Sequence, residues 1–352
     1  MIWVTWRQFR ATILAGVLTP LLLALVIAAF TLALGDRSGG FGLFDCFGVS
    51  TTQCLLGSTL TLSKLATIAL PVMLGVFVGV SVFSRDIERR THVLGLTQSV
   101  SRQRWYWTRI LVVFSPVVLA MLILGLVAYW SQFHSFSGGF TFAGYTDSRL
   151  EFPSLSMSGL VPAGYTALGL TIGSTAALVL RNTIGAMIAT LVVIVTALIL
   201  FPVQIRQHYA TTQVEELTLE ERFSADGYSS SNYSSSFNSY NPRWTVGSDF
   251  VDTEGRTIVV DYDFCTSLPN EWPEPNDTET TAAYNDRVST ANREAMQARV
   301  ECLRANGIDH FENRYHEDRL FWRFQLTEAA LCLLLSIVLT LASVPLVRRI
   351  RP

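Results

Sequence analysis

Six long apolar runs constrain this chain of 352 residues more than any other feature. They occupy residues 11–34, 63–84, 110–130, 158–180, 183–203 and 325–347. A helix needs about 20 apolar residues to cross the hydrocarbon core, and inside that core each backbone N–H and C=O must be satisfied within the segment. The expected fold is therefore an all-α polytopic membrane protein of six transmembrane helices. Composition agrees: 15% of residues are charged, against about 25% in an ordinary soluble domain. The first run is too long, and too poor in small residues at its end, for a signal peptide. Runs four and five are separated only by Arg181-Asn182, which predicts a tight helical hairpin.

Orientation follows from arginines in short loops. Arg7 and Arg10 precede span one, and six arginines between Arg85 and Arg109 separate spans two and three. Arg181 joins spans four and five, and Arg348, Arg349 and Arg351 follow span six. All fall on one side of a six-span layout, which predicts cytoplasmic termini. Residues 1–10, with Trp3 and Trp6, read equally as an interfacial helix or as the start of span one. Segments 35–62 and 131–157 become outer loops, 85–109 a cytoplasmic segment and 348–352 a cytoplasmic tail.

The largest polar part, 204–324, becomes a mixed α/β extracytoplasmic domain between helices five and six. Residues 224–241 are rich in Ser, Asn and Tyr and read as irregular. Residues 243–250 and 257–264, joined by Asp252-Thr253-Glu254-Gly255, read as a β-hairpin. Residues 267–277, with three prolines, read as a loop, and 280–305 as a helix. Cys46 and Cys54 share the first outer loop, and Cys265 and Cys302 share the outer domain. In an oxidising exterior they form two disulfides, Cys46–Cys54 and Cys265–Cys302; the alternative is four free thiols.

Little else carries chemistry. Net charge is −2, so no basic field points to nucleic acid. The single lysine, Lys64, follows no Gly-rich turn, so the chain has no phosphate-binding loop of its own. His310, Glu312, His316 and Glu317 match no ligand spacing and read as a solvated face; no metal is expected. Lys64 and Glu328 fall inside spans near their outer ends, where they either pair or snorkel separately. No chain of acids crosses the membrane centre, which argues against an ion-driven carrier. Gly75, Gly79, Gly169 and Gly173 supply small-residue surfaces for close helix contact.

The segment from Ser84 to Trp105, SRDIERRTHVLGLTQSVSRQRW, is charged and partly amphipathic. Ile87, Thr91 and Leu94 recur at helical spacing, and Ser101 is placed to cap the next helix. By its residues alone it is either a surface lever or a solvated loop that sets topology. It resembles the cytoplasmic signature of actinobacterial ABC transporter permeases of the type-2 exporter superfamily. There an acidic-x-Glu-x-Gly-Thr stretch precedes a Thr-Gln-Ser-Val-Thr/Ser run. Asp86, Glu88, Thr91 and then Thr97, Gln98, Ser99, Val100 and Ser101 match, while Arg90 stands at the family's Gly. The opening Thr5 to Arg10, the runs Gly159 to Tyr165 and Arg181 to Thr183, Arg206 to Tyr209, and Phe321 to Gln325 with Glu328 resemble the same family in the same order.

The resemblance implies a dimeric permease in the bacterial plasma membrane, paired with separate cytoplasmic ABC ATPase subunits. ATP and Mg would reside in those subunits, and this chain would hold no cofactor. Arg85, Asp86, Ile87, Glu88, Arg90, Thr91, Leu94, Thr97 and Gln98 would form the ATPase-coupling segment. A second class of function is a membrane sensor or scaffold whose outer domain binds an external partner without transport.

Overall fold

The computed structural model describes residues 2–34, 52–88, 101–134, 141–142, 145–146, 148–225, 243–260, 265 and 279–348. These fall into two compact units, one helical and drawn from Met1–Ala210 and Asp318–Pro352, the other drawn from Thr211–Phe237 and Arg243–Glu317. Each is described by itself below.

The helical unit begins with α1 (Ile2–Leu34), then α2 (Thr52–Leu74), a π-helical turn (Gly75–Gly79) and α3 (Val80–Glu88). After α4 (Arg102–His134) come the two-residue strands β1 (Thr141–Phe142) and β2 (Tyr145–Thr146), paired antiparallel, and the short α5 (Ser154–Met157). Helices α6 (Val161–Leu180) and α7 (Thr183–Leu200) form the hairpin expected around Arg181-Asn182. The unit closes with a final helix, Phe321–Arg348.

Among the described residues, six helices are long and apolar enough to cross a membrane: Ile2–Ala33, Leu55–Ser84, Gln103–Gln132, Val161–Leu180, Thr183–His208 and Asp318–Leu346. The chain is a multi-pass membrane protein. The number agrees with the apolar runs, but boundaries differ; the third and sixth spans begin at Gln103 and Asp318, each seven residues before its run. Helix α1 is continuous from Ile2, so residues 2–10 open the first span and form no separate interfacial helix. The second span begins at Leu55, eight residues before the apolar run. The hydroxyls of its polar first turns are satisfied on the helix's own backbone: Ser58 to Leu55 O (3.1 Å), Thr59 to Leu56 O (3.0 Å) and Ser63 to Thr59 O (2.8 Å). The fifth span continues past its apolar run through a π turn (Phe201–Ile205) and a 3-10 turn (Arg206–His208).

Spans two and four meet backbone to backbone. A Cβ added to Gly75 would lie 2.9 Å from Gly169 O, and one added to Gly173 would lie 2.4 Å from Gly75 O. Only glycine permits such an approach. It coincides with the π turn, where the helical ladder is locally loosened.

Hydrogen bonds sort the helix ends into two sets. At one end Arg109 donates to Val82 O (3.0 Å) and Gln8 Oε1 (3.3 Å) while its guanidinium lies over Trp105 (4.2 Å), so one buried arginine ties three spans. Tyr106 bonds Thr340 O (3.2 Å) and Ser343, which adds the sixth span. At the other end Thr31 and Ser131 share a bond of 2.6 Å.

The sheet unit holds β3 (Gln213–Thr218), α8 (Leu219–Ala225), β4 (Arg243–Asp252), β5 (Thr257–Ile258), α9 (Thr281–Ala305) and β6 (Ile308–Glu317). The strands are antiparallel in the order β3-β6-β4-β5. The β4–β5 hairpin turns where expected, but its second strand is only Thr257–Ile258 where 257–264 was expected, and residues 261–264 lie outside the described residues. Asp252 closes the turn, its carboxylate accepting from Glu254 N (2.9 Å) and Arg256 N (2.8 Å). That bond from the Arg256 backbone leads the interactions that hold the Asp252 carboxyl below its usual range. Helix α9 is also as expected, with Thr280 capping Ala283 N.

Strand β3 had no sequence counterpart. The expected solvated face at His310, Glu312, His316 and Glu317 is instead strand β6, the centre of the sheet, with β3 on one side and β4 on the other. Its inward residues Ile308, Phe311 and Tyr315 are buried, but the polar residues between them obscure the alternation. Leu219, Phe223, Val300, Leu303 and Ile308 form the unit's own apolar core.

Cys265 and Cys302 are bonded, their Cα atoms 5.7 Å apart, and they close a loop of 37 residues onto α9. Breaking this bond by Cys302→Ser is expected to lower the stability of the sheet unit by about 2–4 kcal/mol. Thermal unfolding of wild type with and without reductant, beside the variant, checks it. Cys46 lies outside the described residues and Cys54 is described by backbone alone, as part of α2. Of the stretches 224–241 and 267–277, read as irregular and loop, residues 224–225 end helix α8 and the rest lie outside the described residues.

Candidate functional site

The first candidate is the end of the helical bundle that carries Glu88. The backbone from Thr52 to Glu88 is helical throughout, so the start of the charged segment continues span two. At the hairpin, Arg181 ends α6 in the left-handed conformation (φ 52°) and Asn182 is extended, which reverses the chain in two residues. The first backbone N–H groups of a helix lack intrahelical partners. Here three of them find one. Asn182 Oδ1 accepts from Ile184 N (2.9 Å) and Gly185 N (3.2 Å), and Glu88 Oε1 accepts from Thr183 N (2.7 Å). A carboxylate at a helix N-terminus also meets the positive end of the helix dipole, which contributes about 0.3–1 kcal/mol. Glu88, from span two, is thereby tied to the turn joining spans four and five. Ser101 caps α4 as expected: Arg104 N donates to Ser101 Oγ (3.3 Å) and Trp105 N to Ser101 O (3.0 Å).

The second candidate is a buried polar cluster at the opposite end. Arg206 and Glu328 are wholly buried and form a two-pronged ion pair, Nε to Oε2 and Nη2 to Oε1, both 2.9 Å. The remaining arginine N–H groups reach Leu150 O (3.3 Å) and Ser156 Oγ (2.8 Å), and Tyr165 donates to Glu328 Oε1 (2.8 Å). One turn away, Gln325 caps α6 with its carbonyl, accepting from Leu160 N (2.8 Å) and Val161 N (3.1 Å). Its amide donates to Leu155 O (3.1 Å) and Ser158 O (2.9 Å). Asp318 bonds Ser148 and accepts from Arg149 Nε (3.0 Å). Arg206 and Asp318 lie on the two stems by which the chain leaves the helical unit and returns to it. These bonds anchor both stems to the helical unit.

Of the residues singled out in the sequence, Glu88 is placed as above. Arg85, Asp86 and Ile87 are described by their helical backbone alone. Arg90, Thr91, Leu94, Thr97 and Gln98 lie outside the described residues. The pairing of Lys64 with Glu328 does not occur. Both carboxylate oxygens of Glu328 serve Arg206, whose planar fork makes two parallel bonds where an ammonium offers a point charge. Lys64 is buried on α2, and no carboxylate among the described residues forms an ion pair with it. Arg206, named in the sequence only within the family-like run Arg206 to Tyr209, was not read as an ionic partner because it lies beyond the fifth apolar run; the π turn that Pro202 enters carries it back into the bundle. The available signal was an arginine just past one span and a glutamate just inside another, at similar depth.

Comparison with known proteins gives one family: the model described as ABC-2 membrane transporter related matches residues 21–206, just over half of the chain. No curated protein and no solved structure matches.

Proposed function

The chain belongs to the ABC-2 membrane transporter related family, and from that premise we propose that it is the permease subunit of an ATP-driven exporter in a bacterial plasma membrane. The arginine-bearing helix ends and both termini face the cytoplasm, in accord with the loop charges. The sheet unit faces outward, where its disulfide suits an oxidising compartment. Two permease chains, identical or not, pair with separate ATPase subunits that bind ATP and Mg.

The observation that carries this reading is the Glu88 bond to Thr183 N. Residues 84–101 seat against the ATPase. When ATP closes the ATPase pair, force on this segment passes along two routes: up the continuous helix into span two, and through Glu88 into the hairpin of spans four and five. The glycine contact between spans two and four makes them respond as one body, and the π turn within it is the natural place for a change of helix register.

Replacing Glu88 and Thr91 together (Glu88→Ala, Thr91→Ala) is expected to uncouple ATP hydrolysis from export while the bundle stays folded, since Asn182 still caps α7. The tagged protein is purified from its host in detergent, and co-purifying ATPase is quantified by mass spectrometry and by ATP hydrolysis. Recovery with wild type and a loss of about tenfold with the variant, at equal permease yield, supports the coupling role. An ATPase retained at wild-type level, with unchanged hydrolysis, would remove it. Reproducible absence of any ATPase would favour a sensor or scaffold.

A further inference from the structure

We propose that Glu216, His310 and Glu312, on one face of the sheet unit, form a binding site for a divalent first-row transition ion such as zinc. Antiparallel pairing sets Glu216 of β3 directly opposite Glu312 of β6. His310 lies two residues from Glu312 along the same strand and so shares its face. One ligand atom from each of the three can be chosen so that all lie within 4.8 Å of one another.

Three features separate this group from an ordinary acidic surface. First, His310 is oriented. Its Nδ1 lies 3.0 Å from Asp309 Oδ2, so in the neutral ring the proton sits on Nδ1 and Nε2 is the nitrogen that would ligate the ion. That Nε2 faces Glu312 Oε1 at 3.7 Å, too far for a hydrogen bond. Donors bonded to one zinc at about 2.0–2.2 Å lie about 3–3.5 Å apart, so Nε2 and Oε1 need close by only a few tenths of an ångström, while the widest separation in the group, within 4.8 Å, closes by up to about an ångström through side-chain rotation. A carboxylate behind a ligating histidine is the usual arrangement in such sites.

Second, the carboxylates are placed against their own electrostatics. Glu312 has Glu216 opposite on one side and Asp249 opposite on the other. Like charges directly opposite in a sheet are destabilising. Arg314 answers Asp249. Among the described residues no arginine or lysine answers Glu216 or Glu312. A dication between them removes that repulsion.

Third, the donors belong to paired strands, so their spacing is set by the ladder and not by a loop. Imidazole nitrogen with two carboxylate oxygens suits zinc and its neighbours, and suits calcium or magnesium less well. Water completes the coordination. His316, farther along β6, is buried against Trp244 and takes no part. The sequence conceals the group because Glu216 lies far upstream of the other two ligands. Once bound, the ion would clamp β3 to β6.

The test uses full-length protein in detergent, without a polyhistidine tag and stripped with a chelator. Zinc chloride alone is titrated by calorimetry, with thermal unfolding in parallel. The expected result is saturable binding of about one ion per chain and a raised unfolding midpoint. Glu216→Gln and His310→Asn should each abolish both, and Asp309→Asn should weaken binding by about 10–100-fold through loss of the histidine's orientation. Circular dichroism of the metal-free variants shows that the fold persists. Absence of saturable binding overturns the site. So does binding equal in wild type and variants, or calcium and magnesium binding as tightly as zinc.

Discussion

Gly173→Leu is expected to prevent the helical unit from assembling, seen as loss of monodisperse protein in detergent. The reason is where the new atoms would go. A Cβ alone at Gly173 meets Gly75 O at 2.4 Å and Val80 N at 3.0 Å, both backbone atoms of span two. No rotamer change relieves a backbone clash, so spans two and four must separate, and the π turn between Gly75 and Gly79 loses its packing partner. Overpacking commonly costs about 1–3 kcal/mol when side chains can adjust; here they cannot, and the cost lies at or above the top of that range. Gly185→Ala is the control. It sits in α7 with its nearest neighbours at 3.9–4.0 Å, and alanine there should be neutral or stabilising by up to about 1 kcal/mol. Equal yield and unfolding temperature for Gly173→Leu and wild type would show that the backbone contact is not required.

The second large effect is expected at Arg206 and Glu328. Either Arg206→Met or Glu328→Leu leaves one charge wholly buried without its partner, at a cost of about 3–5 kcal/mol. The double variant removes both charges and should recover much of that loss, because a buried pair offsets its own desolvation only in part. Thermal unfolding of the two single variants and the double variant closes the cycle. Strictly additive losses would mean that the two residues act separately.

What the sequence disclosed depended on the range of the interactions involved. Apolar length and arginine placement are properties of contiguous residues, so the six spans, the Arg181-Asn182 hairpin and the Ser101 cap were all readable. The β4–β5 hairpin and α9 were readable for the same reason, since turn chemistry and helical spacing are local. Strands β3 and β6 were not. Their polar residues are acceptable only because partners on neighbouring strands satisfy the backbone, and those partners come from distant parts of the chain.

The boundary between the two kinds of information is clearest at single residues. By itself the sequence determined that this is a multi-pass membrane protein, with six candidate spans and a polar insertion before the last of them, because transfer of apolar surface from water is indifferent to long-range order. It placed Glu88 in a charged segment and Glu328 in a span. Only the tertiary structure decided that Glu88 caps the hairpin of spans four and five, that Glu328 binds Arg206 and not Lys64, and that Glu216 meets His310 and Glu312. Those pairings follow from directional bonds a few ångströms long between residues far apart in sequence, and only the packed fold selects among the many partners that composition allows.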